Sequence, residues 1–146
     1  MPRLIFSNLI YMEKSKTEKI ISWITALLSA VILLQTLYFK FSASPESVYI
    51  FSKLGIEPWG RIVSGVGELI ASILILIPNY RWIGCIMGLG IISAAIFAHL
   101  TKLGIAVQGD GGYLFILAII VFVSCGICLF LEKHKLRLLY VKVFHV

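Results

Sequence analysis

The stretch Ile62-Val-Ser-Gly-Val-Gly-Glu68-Leu-Ile-Ala-Ser-Ile-Leu-Ile-Leu-Ile77 carries sixteen residues with a single charge, and its reading decides the fold. At 1.5 Å per residue a helix of that length spans ~24 Å, most of a ~30 Å hydrocarbon core. A carboxylate inside such a segment costs several kcal/mol in lipid, so Glu68 must face a partner or a wet cavity, and it marks a functional position by default. Three more apolar runs flank this one, at about Ile20–Phe39, Trp82–Leu100 and Tyr113–Leu131. None alternates polar and apolar residues as barrel strands do, and in lipid only closed barrels and helices satisfy their own backbone groups. The prediction is an all-α integral membrane four-helix bundle.

The bulk composition agrees. Of 146 residues 60% are hydrophobic and only 14% charged, and the mean hydropathy of +0.99 exceeds what a soluble domain can hide in its core. The net charge of +6 comes from basic residues that flank the apolar runs, as topology signals and lipid-headgroup contacts do. No continuous basic patch remains for nucleic acid. Nine Lys/Arg (Arg3, Lys14, Lys16, Lys19, Arg81, Lys133, Lys135, Arg137, Lys142) against four (Lys40, Lys53, Arg61, Lys102) favour cytoplasmic termini. The expected organisation is a cytoplasmic segment over 1–19, a four-span domain over 20–131 and a basic cytoplasmic tail over 132–146. The run from Ile20 lacks a cleavage site for a signal peptide, and Met12 opens a second plausible start.

Between the first two runs, Ser44-Pro45-Glu46 supplies a helix cap with proline at the first helical position, and Gly55 supplies a stop. Val48, Phe51 and Leu54 recur at helical spacing, which predicts a short amphipathic helix on the outer surface. Small residues on the second span (Gly60, Ser64, Gly67, Ala71) and the third (Gly84, Gly88, Ala95, Ala98) predict close helix approach.

Depth arithmetic then gathers the polar groups. With cytoplasmic termini, Glu68 lies ~12 Å below the outer end of its span and His99 ~25 Å along the third, both in the outer half. Gln35, Thr36 and Lys40 reach the same level from the first span, and Arg61, Ser64 and Glu68 share a helical face. The expected site is an outward-opening pocket in which Glu68 and His99 exchange protons while Lys40, Arg61 and Gln35 bind substrate. Gln108 or Asp110 could join it from the third loop. The plainer alternative is an ion pair of Glu68 with Lys40 or Arg61 that only locks helices together. Cys125-Gly-Ile-Cys128 has the spacing of a redox dithiol, but it sits near the cytoplasmic end of the last span. No second pair completes a zinc site, so packing is the plainer reading of these thiols and of Cys85.

The segments Tyr38-Phe-Lys40, Lys53-Leu-Gly-Ile-Glu-Pro58, Gly65-Val-Gly-Glu68-Leu, Leu76-Ile-Pro78 and Ala98-His99-Leu resemble the DoxX-like membrane proteins over about residues 20–131. The resemblance implies a four-helix membrane bundle with an intramembrane glutamate at Glu68 and recurring basic positions at Lys40 and His99. It also implies association with oxidoreductases, including a thiosulfate:quinone enzyme, and a bacterial inner membrane as location. No intrinsic cofactor is evident from the residues; a quinone is the small molecule the resemblance suggests. The partners to expect are the lipid bilayer, a redox partner protein and a second copy of this chain. A non-enzymatic solute carrier, or an accessory or structural subunit, is the competing expectation.

Overall fold

The structure is a computed structural model and describes residues 14–133 and 135. Arg3, Met12, Arg137 and Lys142, and with them most of the two expected cytoplasmic segments, lie outside the described residues. Among the described residues there are five α-helices and no strand. They are α1 (Lys16–Phe41), α2 (Pro45–Leu54), α3 (Trp59–Leu76), α4 (Arg81–Ala98) and α5 (Tyr113–Leu131), with a π-helical turn, His99–Leu103, continuing α4. The four long ones are each long and apolar enough to cross a membrane.

Helix limits follow local chemistry. Helix α1 begins four residues before the apolar run because Ser15 and Glu18 form a reciprocal capping box. The Ser15 hydroxyl accepts from the Glu18 N–H at 3.2 Å, and Glu18 accepts from the Ser15 N–H at 2.9 Å. Helix α2 is the short helix expected between the first two runs: Ser44 caps it, Pro45 opens it, and Gly55 ends it at φ 78°. Helix α3 stops at Leu76, two residues ahead of Pro78. Past Ala98 the π-turn runs to Gly104, whose φ of 85° suits glycine.

The long helices form a ring in which α1 packs on α3, α3 on α4, α4 on α5 and α5 back on α1. Helix α2 crosses one end of this ring, touching α1, α3 and the π-turn. The core is built from small or slender residues: Ala26, Ala30 and Leu33 of α1, Ala71 and Ile75 of α3, and Cys85, Val121, Cys125 and Cys128. The outward faces are apolar too, as at Val63, Phe97 and Phe130, each about two-thirds exposed. An apolar belt on every long helix is what lipid contact requires and what a soluble surface avoids.

Gly84 fixes the closest helix crossing. A Cβ there would lie 2.5 Å from the Ile75 nitrogen and 2.8 Å from the Ala71 carbonyl oxygen, so α3 and α4 meet backbone to backbone. Gly90, on the same helix, has nothing within 4 Å of that position. Gly84→Ala is therefore expected to destabilise the bundle by about 1–3 kcal/mol through forced separation of α3 and α4. Gly90→Ala should leave thermal stability in detergent unchanged or raised, and equal melting temperatures for the two variants would refute this account of the crossing.

Candidate functional site

The side chains gathered at the α2 end surround a cavity of about 490 Å³, walled by α1, α2, α3, α4 with its π-turn, and α5. Most of the wall is aliphatic or aromatic, with Ile50, Phe51, Ala95 and Leu117 as representative contributors. Its polar edge is Glu68, 3% exposed. Thr36 donates to Glu68 Oε2 at 2.7 Å, and Lys40 Nζ donates to Oε1 at 2.5 Å. Thr36 and Lys40 stand one helical turn apart on α1, so a single face of one helix supplies both partners. The Ser72 hydroxyl donates to the Glu68 backbone carbonyl at 2.7 Å, anchoring that turn of α3. Lys40 also approaches the Phe51 ring of α2 at 5.9 Å, which links the ion pair to the covering helix.

The other expected site residues divide. Gln35 and His99 both line the cavity. His99 Nδ1 lies 2.8 Å from the Gly104 carbonyl; a carbonyl only accepts, so Nδ1 carries the proton and Nε2 is the ring nitrogen left for a ligand. The imidazole meets Phe115 edge to face at 5.5 Å. Among the described residues no hydrogen bond joins His99 to Glu68, so a proton passing between them would need an intervening group. Arg61 is buried but does not line the cavity. Its Nε donates to Glu57 Oε1 at 2.9 Å and to Oε2 at 3.1 Å, its Nη2 donates to Oε1 at 2.7 Å, and its Nη1 donates to the Lys40 carbonyl. Arg61 thus adds a second donor to a carbonyl at the C-terminus of α1, which also accepts from the Ala43 N–H at 3.4 Å, and ties α1 to the start of α3. The Glu57 partnership was not anticipated, although the i, i+4 spacing is visible in the sequence.

Asp110 stays out of the cavity and organises the loop before α5. Its Oδ1 accepts from the Val107 and Gly112 N–H groups at 2.7 and 2.9 Å, and Oδ2 accepts from Leu114 at 3.0 Å. Burial pushes its carboxyl up, but the three backbone donors, with His99 adding a smaller contribution, hold it below the usual carboxylate range. Gln108, at φ 49°, is exposed in the same turn.

A second polar cluster closes the opposite end of the bundle, and sequence reading missed it. Glu132, 1% exposed, accepts from Ser22 at 3.0 Å and from Lys14, with Lys135 Nζ 3.3 Å away. Arg81, 3% exposed, donates from Nη1 to the Ser22 oxygen at 3.1 Å and from Nε to the Ile75 carbonyl at 2.9 Å. Its guanidinium stacks 4.1 Å from the Trp23 ring centre. Burial pushes the Glu132 carboxyl up; Lys14, Lys135 and Ser22 outweigh that and hold it below its ordinary value. In the sequence Arg81 reads as a topology marker at a span end and Glu132 carries no signal of its own; only the fold brings them together.

No family model, curated protein or solved structure matches this chain. Function is therefore argued from the residues and the cavity.

Two outcomes follow. Glu132→Gln leaves Arg81 buried without its carboxylate and is expected to cost about 3 kcal/mol. Glu68→Gln should cost only about 1 kcal/mol, because Lys40, 15% exposed, can carry its amine toward the interface. Thermal unfolding in one detergent ranks them, and a more damaging Glu68→Gln would reverse the assignment of the structural end. Asp110 gives a pH signature. A depressed native carboxyl stabilises the fold above the unfolded value near ~3.9, and that contribution is lost as pH falls through the native value. Asp110→Ala should lower the melting temperature at neutral pH, with the gap from wild type narrowing below about pH 4.

Proposed function

We propose that this protein is a multi-pass inner-membrane protein, with cytoplasmic termini, whose outer cavity binds a small, mainly apolar molecule of the quinone type as part of a redox-associated assembly. The observation that carries the reading is the joining of an aliphatic and aromatic cavity of about 490 Å³ to the Glu68–Lys40–Thr36 group at its edge. A site of this size, apolar with a few convergent polar groups, suits a small organic ligand. The resemblance to DoxX-like proteins points the same way.

The residues fit a quinone. Its ring and tail need apolar walls, and its carbonyl oxygens need donors. Lys40 has three N–H groups, of which one serves Glu68; Gln35 lines the cavity with an amide that no hydrogen bond holds among the described residues; His99 keeps Nε2. When bound, a quinone supplies reversible acceptance of two electrons and two protons. In this reading Lys40 orients a ligand oxygen and offsets negative charge there. Glu68, the carboxylate paired with Lys40, is the acceptor beside it for a proton in transit, His99 takes protons from the outer side, and α2 excludes water from above. Arg61 acts at one remove, through the Lys40 carbonyl and Glu57.

A non-enzymatic carrier or accessory subunit is the second reading. It is favoured by the closed Glu68–Lys40 pair, which leaves the cavity's charges balanced when nothing is bound. Quinone content after purification in mild detergent, compared between wild type and Glu68→Gln at equal folded yield, tests the first reading. Near-stoichiometric quinone in wild type and its loss in the variant are expected. No quinone in either would sink the reading and leave solute flux dependent on Glu68 as the next measurement.

A further inference from the structure

The three cysteines converge, although the sequence separates Cys85 from the other two by 40 residues or more. All three are 0% exposed and none is in a disulfide. The register of α4 against α5 follows from Gly88, where an added Cβ would lie 3.2 Å from Cys125 Sγ. These helices run in opposite directions, so one turn toward the inner end brings Cys85 level with Cys128. Cys85, Cys125 and Cys128 all belong to the one buried core cluster between these helices. On the α1 side stands a hydroxyl-bearing wall. Cys128 Sγ lies 3.9 Å from Ser22 Oγ, and the thiol reaches the Ser22 carbonyl at 3.8 Å.

Three thiols thus share one layer of the core across two helices. The cluster is also near the cavity. Leu33 and Val121 line the cavity floor, and Leu33 Cδ1 approaches the same point beside Gly88, at 3.9 Å, that Cys125 Sγ approaches from the other side. An apolar oxidant in the cavity is thus one helical turn from the first thiol.

We propose that Cys85, Cys125 and Cys128 form a buried dithiol–disulfide centre in which Cys85 is the common partner, closing a bond to either cysteine of α5. In the oxidation two S–H bonds break and one S–S bond forms between α4 and α5. The two electrons and two protons pass to a lipid-soluble acceptor of the quinone or azo class, which leaves as the hydroquinone or hydrazine. The C-x-x-C pair does not close on itself, because one turn of continuous helix holds the two Cβ atoms ~5–6 Å apart, wider than the ~4 Å a disulfide spans. The centre stands on thiol geometry, so it holds whether or not the outer cavity keeps a bound quinone.

The test counts thiols. The full chain in mild detergent is treated with diamide, a membrane-permeant azo oxidant, then denatured and alkylated with N-ethylmaleimide, and intact mass gives the adducts. Wild type should fall from three adducts to one and recover three after dithiothreitol. Cys125→Ala and Cys128→Ala should each fall from two adducts to none, whereas Cys85→Ala should keep two. Peptide mapping of oxidised wild type should find Cys85 in the cross-link, and this decides the matter should Cys85→Ala fail to fold. Three adducts persisting in oxidised wild type would overturn the proposal, as would a Cys125–Cys128 cross-link or a Cys85→Ala protein that loses both thiols.

Discussion

A carboxylate withdrawn from water must be given a cation and hydrogen-bond donors, and both ends of this bundle are arranged around that requirement. At one end Glu68 receives Lys40 and Thr36 from a single face of α1; at the other Glu132 receives Lys14, Lys135 and, through Ser22, Arg81. Helix α1 serves both. Its N-terminal end offers Ser22 and its C-terminal end Thr36 and Lys40, so its rotation about its own axis is fixed at two points. Charged groups in this fold do more than mark topology: they set which face of each helix turns inward, something apolar side chains specify weakly when lipid is as apolar as the core.

Small residues do two different jobs along the same helices. In the half nearer Arg81, Gly84 lets α4 lie against the α3 backbone, and Gly88 makes room for Cys125. In the half nearer α2, Ala94, Ala95 and Ala98 of α4 border the cavity instead of closing it. The difference lies in what faces them. Arg61 and Glu57 occupy the α1–α3 junction, and α2 lies across the end, so these halves are joined at their rim while space remains beneath. A void of this kind costs dispersion contacts. An apolar ligand or a lipid chain would restore them, which gives the cavity a physical reason to be occupied.

Hydropathy made the four spans legible, and the cap, proline and glycine around α2 made that helix legible with its ends. The small residues of the second and third spans likewise announced the contact at Gly84. Depth arithmetic placed Glu68, Lys40, Gln35 and His99 around one region, because rise per residue is nearly constant in a helix. It could not tell that Arg61 turns toward Glu57, since rotation about a helix axis and the reach of a long side chain are set by neighbours. Glu132 and Arg81 stayed hidden for a related reason: charges at span ends are ordinary, and only the tertiary approach of α1, α4 and α5 makes these two nearly inaccessible. Cys85 looked like a solitary packing residue until the α4–α5 register set it against the other thiols.

The two polar ends differ in which cation they employ, and that difference separates a fastening from a site. Arg81 is held by the Ile75 carbonyl, the Ser22 hydroxyl and the Trp23 ring, so its planar fork has little freedom left. Lys40 is a point charge on a flexible stem, partly exposed, with Glu68 as its one hydrogen-bond acceptor among the described residues. A ligand oxygen entering the cavity can share the Lys40 ammonium with Glu68 by a small rotation of that stem. Arg81 keeps one unpartnered nitrogen, Nη2, but its guanidinium cannot rotate without breaking its bonds to Ser22 and the Ile75 carbonyl. Chemistry that needs a charge to move therefore belongs at the Lys40 end, whereas the Arg81 end is suited to keeping the helices in register while it happens.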